Sequence, residues 1–374
     1  MSSAGISAAA HRSAQKRSAN GFDILKSGTA LLRLLPPNFA HKSVVKALKY
    51  GLVPKSSGTD DSVLAIKVWD IEFSNPIGMS AGFDKNAEGV DGIIDLGFGF
   101  AEAGTVTPLP QLGNPKPNLF RLSEDSALIN RLGFPSEGVE AFANNLRKRR
   151  QSAAGIVGIN VGINTGTADA AGDIETCLDQ LAQFANYVTI NVSCPNTPGL
   201  CAWQAGDKLA EMVGRAKVKL AQVSGDRTPP LLVKIGPDLD EEGLAAVADV
   251  AVTVGIDGLI ACNTTSERPA TLRNANAQET GGLSGPPIRQ QATKVLSNLF
   301  EMTGGKIPLI GCGGISTADD AYERIRAGAS LLQLYTALIY GGPGLVTDIK
   351  SGLAARLRAG GYSRLSEAVG ANHC

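Results

Sequence analysis

The sequence predicts an α/β fold, a (β/α)8 TIM barrel with a small N-terminal helical extension. Three observations carry this prediction. Eight short apolar segments recur between residues 75 and 338, with the composition of buried strands. A Gly-rich or polar turn and then a helical pattern follow most of them, an alternation that builds parallel sheets. No GxGxxG or GxxxxGK(S/T) run supports the runner-up, a doubly wound nucleotide-binding sheet.

The strand candidates, in order, are NPIGMSAG (75–82), FAEAGTVT (100–107), GIVGINVG (155–162), YVTINVSC (187–194), PLLVKIGP (230–237), GLIACNTT (258–265), IPLIGCGGI (307–315) and SLLQLYTAL (330–338). DEEGLAAVADVAVTVG (240–255) and TADDAYERIRAGA (317–329) carry the helical spacing between them. The stretch after the second strand is longer and less regular. It holds the Pro-rich LPQLGNPKPN (109–118) and a loop, LINRLGF (128–134).

Residues 1–21 are rich in Ser and Ala, carry Arg12, Lys16 and Arg17, and contain no acid. They read as a disordered leader, a composition shared by mitochondrial transit peptides and by floppy bacterial N-termini. Residues 22–65 read as the helical extension and 66–374 as the barrel. In the extension, FDILKSGTALLRLL ends at Pro36-Pro37, and Asn38 is the expected N-cap of FAHKSVVKALKYGL. Phe39, Val44, Val45, Leu48 and Leu52 form an apolar stripe beside Lys42, Lys46 and Lys49. Such a helix suits a membrane interface, or packs on the barrel with its lysines solvated. No run reaches the ~20 apolar residues that span a bilayer.

The chain of 374 residues balances 35 basic against 35 acidic side chains, which does not suggest a nucleic-acid binder. Its six cysteines are scattered without a CxxC pair, which argues against a disulfide framework or zinc ribbon and fits a reducing compartment. The three histidines are His11, His41 and His373. A His–metal cluster or a Ser–His–Asp triad inside the barrel is therefore excluded, and no metal site is expected.

Active sites of such barrels lie at the C-terminal strand ends. Those ends read Ala81, Gly82 and Lys85; Thr105; Asn160; Asn191 and Cys194; Lys234; Asn263 and Thr264; Gly313 and Gly314; Tyr335 and Thr336. The richest is YVTINVSCPNTPGLCAW (187–203), where Pro195 ends a β-branched strand and Asn191, Ser193, Cys194 and Asn196 crowd the junction. Folding alone would put Val or Ile at several of these positions. GCGGI with Tyr335-Thr336 offers backbone N–H groups where barrels bind phosphate. Lys234, mid-strand in LLVKIGP, needs either an anionic ligand, such as a reduced flavin, or a structural ion pair. Asn130, Asn191, Asn196 and Asn263 supply the paired donors and acceptors that a planar imide demands. Asp84 is the only carboxylate near these ends.

NPIGMSAGFDKN, EAGTVTP, KPNLFRL, LINRLGF, NVSCPNTPGL, VKIGPDL, CNTT, ETGGLSG, GCGGI and QLYTALIYGGPG together resemble the dihydroorotate dehydrogenases over residues ~37–350. The helical extension and the GTVTP…NLFRL and NTPGL wording are similar to the membrane-associated, quinone-dependent class 2. The resemblance implies FMN held by Ala81, Gly82 and Lys85, with Thr105, Asn160, Asn191, Lys234, Cys262, Gly285, Gly314, Tyr335 and Thr336. It implies dihydroorotate gripped by Lys85, Asn130, Arg131, Leu132, Gly133, Phe134, Asn191, Asn196, Asn263 and Thr264. Cys194 occupies the position of the base that removes the C5 proton while hydride passes from C6 to N5 of FMN, and Lys234 stabilises the charge that results. A membrane quinone is the implied electron acceptor, reached between the two helices of the extension, which would rest on the membrane surface. The site would be peripheral on the inner (cytoplasmic) membrane of a bacterium, or on the mitochondrial inner membrane if residues 1–21 are a transit peptide.

Four positions depart from the family pattern. Cys194 stands where class 2 carries Ser and the soluble class 1 carries Cys. A thiol, of ordinary pKa ≈ 8.5, is the better base near neutral pH. Cys262 stands for a cofactor-side Thr, and Cys201 and Pro286 for Arg. Cys194 leaves open a class 1-like enzyme that uses fumarate, against which stand the extension and the lack of an iron–sulfur cysteine cluster. Another FMN barrel, such as a tRNA dihydrouridine synthase, would want a basic RNA-binding face. A non-catalytic membrane-binding barrel would purify colourless.

Overall fold

The computed structural model describes residues 28–56, 58–150, 155–193, 203–204, 206–225 and 227–373. Residues 28–32 are helical, and the chain then breaks at Pro36. Helix α1 (Pro37–Lys49) starts with Pro36 as its N-cap and Pro37 as its first residue. Proline suits that position because its fixed φ is already helical and its missing N–H would be unpaired anyway. Asn38, expected as the cap, lies inside the helix instead, and its amide donates to Asn118 Oδ1 at 3.1 Å. The apolar stripe divides. Ala40, Val45 and Leu48 are buried, whereas Phe39 and Leu52 stay 60% and 76% exposed. The buried edge seats on α2 (Val90–Asp95), where a Cβ on Gly92 would come within 2.5 Å of the Leu48 carbonyl. The helix thus both packs on the barrel and offers an apolar edge to the surroundings.

β1 (Ile66–Val68) and β2 (Ile71–Phe73) form an antiparallel hairpin. It brings Trp69 and Phe73 against Phe100 and Tyr187, with ring centroids 5.4–6.4 Å apart. These rings need space inside the barrel. A Cβ on Gly78 would meet the Phe100 ring at 2.2 Å, and one on Gly158 the Tyr187 ring at 2.1 Å.

The barrel closes as eight parallel strands: β3 (Ile77–Met79), β4 (Phe100–Val106), β7 (Ile156–Val161), β8 (Tyr187–Asn191), β9 (Leu231–Ile235), β10 (Gly258–Ala261), β12 (Leu309–Cys312) and β13 (Ala329–Leu334). β13 returns to β3, so no edge is left. All eight predicted strands are present. The last ends sooner than its sequence suggests, because residues from Thr336 turn into a short helix. Around the ring run α3 (Val139–Arg147), α4 (Ala170–Leu181), α5 (Gly206–Ser224), α6 (Glu241–Val250), α7 (Arg289–Met302), α8 (Ala318–Arg326), α9 (Thr336–Gly341), α10 (Gly344–Ala359) and α11 (Leu365–Ala368). The Asp240 side chain caps α6, and a Thr317–Asp320 capping box starts α8.

A second sheet joins β5 (Leu119–Leu122), β6 (Ala127–Asn130) and β11 (Gly282–Ser284) in the order β11-β6-β5. The expected loop LINRLGF therefore begins as a strand. It pairs with neighbouring β5 on one side and, 152 residues away, with β11 on the other, where Asn130 lies opposite Gly282. No helix among the described residues is long and apolar enough to cross a membrane.

Candidate active site

The C-terminal strand ends open into a cleft enclosing about 1160 Å³, part of it open to solvent. β3 delivers Ser80, Ala81, Gly82 and Lys85; β4 Thr105; β8 Asn191; β9 Lys234. β10 delivers Cys262, Asn263 and Thr264; β12 Cys312, Gly313 and Gly314; β13 Gln333, Tyr335 and Thr336. The second sheet and its flanks add Asn130, Leu132, Gly133, Phe134, Ser284, Gly285 and Pro286 to the wall.

Beneath the cleft lies Glu102, an acid in the fully buried strand β4. It accepts from Asn160 Nδ2 (2.8 Å), Tyr187 Oη (3.0 Å), Thr189 Oγ1 (3.3 Å) and Gln333 Nε2 (2.7 Å). A carboxylate only accepts, so it sets the direction of everything above it. Asn160 must turn its N–H to Glu102 and its oxygen to the Thr105 hydroxyl, which donates at 2.6 Å. Thr105 then accepts from Asn191 Nδ2 at 2.9 Å. The Asn191 oxygen is left to accept from Asn263 Nδ2 and Ser193 Oγ, each at 3.3 Å. Burial, with the Glu102 charge beside it, pushes the Tyr187 phenol well above its ordinary pKa, so it remains a donor. Glu102→Gln is expected to place an N–H among these donors, at a cost of roughly 1–3 kcal/mol. Thermal unfolding checks this; an unchanged Tm would remove Glu102 from the role.

Several polar groups around the cleft await a partner. The Lys234 ammonium is 4% exposed and donates to Ser80 Oγ at 3.1 Å, its one hydrogen-bond partner among the described residues. Gln333 Oε1 is buried and accepts no hydrogen bond among the described residues. Gly313 and Gly314 have positive φ, +99° and +73°, and their N–H groups find no acceptor among the described residues. A Cβ on Gly314 would lie 2.5 Å from Arg289 Cα, so only glycine fits. Cation, lone acceptor and anion cradle fit a flat heteroaromatic ring carrying a phosphate. On the opposite wall Lys85 donates to the Gly82 carbonyl, and burial lowers its pKa to about 8 against the opposing pull of Asp84. Asp84 itself is tied to the Glu88 and Gly89 N–H groups.

Two predicted ligands stand elsewhere. Asn160 is fully buried under Thr105 and does not line the cleft. Arg131 turns outward to Glu279 at 2.7 Å and over the Phe120 ring. Cys194, Asn196 and Cys201 lie outside the described residues. The sequence reading missed Ser80, Glu102, Ser284 and Gln333. A signal existed for Glu102, the one charged residue of β4, and for Gln333, the one amide of β13. From α1, His41 packs edge-on to Phe83 at 5.3 Å, and Phe83 to Tyr335 at 5.7 Å, linking the extension to the barrel mouth. Burial, with Lys85 nearby, lowers the His41 pKa to about 3 and keeps the ring neutral. A second cleft runs under the extension, lined by Ala30, Leu31, Arg33, Leu34 and Tyr340.

A barrel mouth of this make can seat a flat, phosphate-bearing cofactor beneath a planar, amide-binding pocket. The sequence profile described as Dihydroorotate dehydrogenase matches residues 63–357. A Dihydroorotate dehydrogenase (quinone) of Rhodospirillum rubrum is 51% identical over 91% of this chain and 92% of its own. The mitochondrial quinone enzyme of Mus musculus is 44% identical over 92% and 89%. The solved DHODH–ferulenol complex of Eimeria tenella superposes with a TM-score of 0.88 at 40% identity, covering 90% of this chain and 96% of that one. The chain belongs to the dihydroorotate dehydrogenase family, and its relatives are the quinone-dependent members.

Proposed function

We propose that this protein oxidises (S)-dihydroorotate to orotate in pyrimidine biosynthesis, with FMN as its flavin, and passes the electrons to a membrane quinone. The observation that carries the reading is the buried Lys234 ammonium with a single hydroxyl partner among the described residues, at the floor of an amide-lined cleft. Held by the residues of this cleft, FMN would supply the acceptor for a hydride and the means to pass electrons on. The chain's own residues do the rest. Asn191, Asn263 and Asn130, with Asn196, offer donors and acceptors to the planar imide, and such positioning lowers a barrier by up to ~7–11 kcal/mol. Cys194 takes the C5 proton. Lys85 faces the substrate carboxylate.

The exposed Leu31, Leu34, Phe39, Tyr50 and Leu52 support a peripheral seat of the extension on a membrane surface. The cleft under the extension and the His41–Phe83–Tyr335 contacts support a quinone entrance there.

The test is an absorbance spectrum of the purified full chain before and after dihydroorotate is added. A yellow protein that bleaches, and regains colour with a soluble quinone but not with fumarate, is expected. A colourless protein, or fumarate as the better oxidant, overturns the reading.

The pH profile is a second check. Removal of the C5 proton needs the thiolate, so kcat/KM rises towards the ordinary thiol pKa of ~8.5. Lys85 has its pKa lowered to about 8, so it loses its charge, and its pull on the carboxylate, as pH climbs past that value. Lys85→Arg keeps its proton throughout and is expected to lose the falling limb. If that limb survives in the arginine variant, another group causes it.

A further inference from the structure

Among the described residues Arg324 is the bulkiest side chain with essentially no solvent contact, 1% exposed. It shares the inner face of α8 with Ala321 and Ile325. Its stem passes over Gly311, where a Cβ would lie 2.5 Å from Arg324 Cγ. Its guanidinium then reaches the end of β12 from behind. Nη1 donates to the Cys312 carbonyl at 3.2 Å, and Nη2 to the Gly313 carbonyl at 3.0 Å and the Arg289 carbonyl at 3.3 Å. Nε donates to Thr293 Oγ1 at 3.2 Å.

All of these acceptors are neutral. Among the described residues no carboxylate pairs with Arg324; the nearby Asp320 is engaged by Arg289 at 2.7 Å and by the N–H groups of Ser316 and Thr317. A buried cation without an anion is costly, and the cost is relieved when an anion arrives. Peptide geometry says where that anion belongs. In a trans peptide C=O and N–H point opposite ways. Carbonyl 313 points at the guanidinium, so the N–H of Gly314 points away from it, towards the cleft that Gly314 lines, whereas carbonyl 312 also accepts from the Cys262 N–H of β10 at 3.0 Å.

We propose that Arg324 is the positioning and specificity-determining residue for a dianionic phosphate on the flavin: it fixes the turn that carries the Gly314 N–H from behind and supplies the buried positive charge that the dianion balances. The proposal rests on the reading that the cleft holds FMN. It makes selection of phosphorylated over unphosphorylated flavin a property of one side chain that never touches the ligand.

The experiment titrates the flavin-stripped full-length protein with FMN and with riboflavin, following the quenching of flavin fluorescence. Wild type is expected to prefer FMN. Arg324→Met is expected to lose about ten- to hundredfold in FMN affinity, the scale of charge-assisted contacts, with riboflavin affinity within about threefold of wild type. Equal losses for both flavins, or an undiminished preference for FMN, overturn the proposal. Should the methionine variant not fold, wild type carries the test through pH. The phosphate gives up its second charge near pH ~6, so the FMN-to-riboflavin affinity ratio must fall below that pH. A constant ratio overturns the proposal. Wild type that takes up both flavins equally overturns it while the flavin reading stands; wild type that binds neither defeats the FMN reading itself.

Discussion

Cys194→Ala is expected to keep its flavin and to lose about 10²–10⁴-fold in the rate at which dihydroorotate bleaches it. The neighbouring hydroxyl is no substitute. Ser193 is buried, its Oγ donates to Asn191 Oδ1 at 3.3 Å and accepts from Asn263 Nδ2 at 3.1 Å, so it is committed to holding the amides. Cys194 follows it directly in the chain. Stopped-flow absorbance reads the bleaching rate. An alanine variant as fast as wild type would show that the proton goes elsewhere. Cys194→Ser, which restores the residue usual in class 2, is expected to remain active.

Lys234→Met is expected to slow the same bleaching by about 10²–10³-fold, the usual effect of removing one preorganised donor from developing negative charge. Its effect on stability has the opposite sign. In the flavin-free protein the ammonium sits almost fully buried against one hydroxyl, and an apolar side chain of similar length removes that penalty. The Tm of the flavin-free variant should equal or exceed that of wild type. A variant that bleaches within threefold of the wild-type rate would deny Lys234 its electrostatic role. One that unfolds well below wild type would show that the lysine serves the fold instead.

Much of this site is legible in the chain because barrel chemistry gathers at strand ends, and strand ends are local features. FAEAGTVT marks Phe100–Val106 within a residue, since a strand buried on both faces must be apolar along its length. The same rule puts Thr105, Asn191, Lys234 and Asn263 at the mouth before any coordinates are seen. It fails for Asn160, which also stands near a strand end. Periodicity cannot tell a side chain that enters the cleft from one that supports the layer below. It fails for Asn38 as well, because two prolines in a row already fix the start of α1 and leave the asparagine free to reach Asn118.

By itself the sequence determined the order of strands and helices, the paired glycines 313 and 314 and the absence of histidine from residues 42 to 372, all of which are read along the chain. Only the tertiary structure decided what those residues do to one another. Glu102 draws its donors from β7, β8 and β13, as far as 231 residues away, and through them points the amides of the mouth. Arg324 meets the back of a loop 11 or 12 residues upstream only because the helix between them folds over it. The second sheet pairs Asn130 with Gly282 across a gap that no local pattern spans. Ring closure brings these partners together, and the direction of a hydrogen bond or the isolation of a charge exists only once they have met.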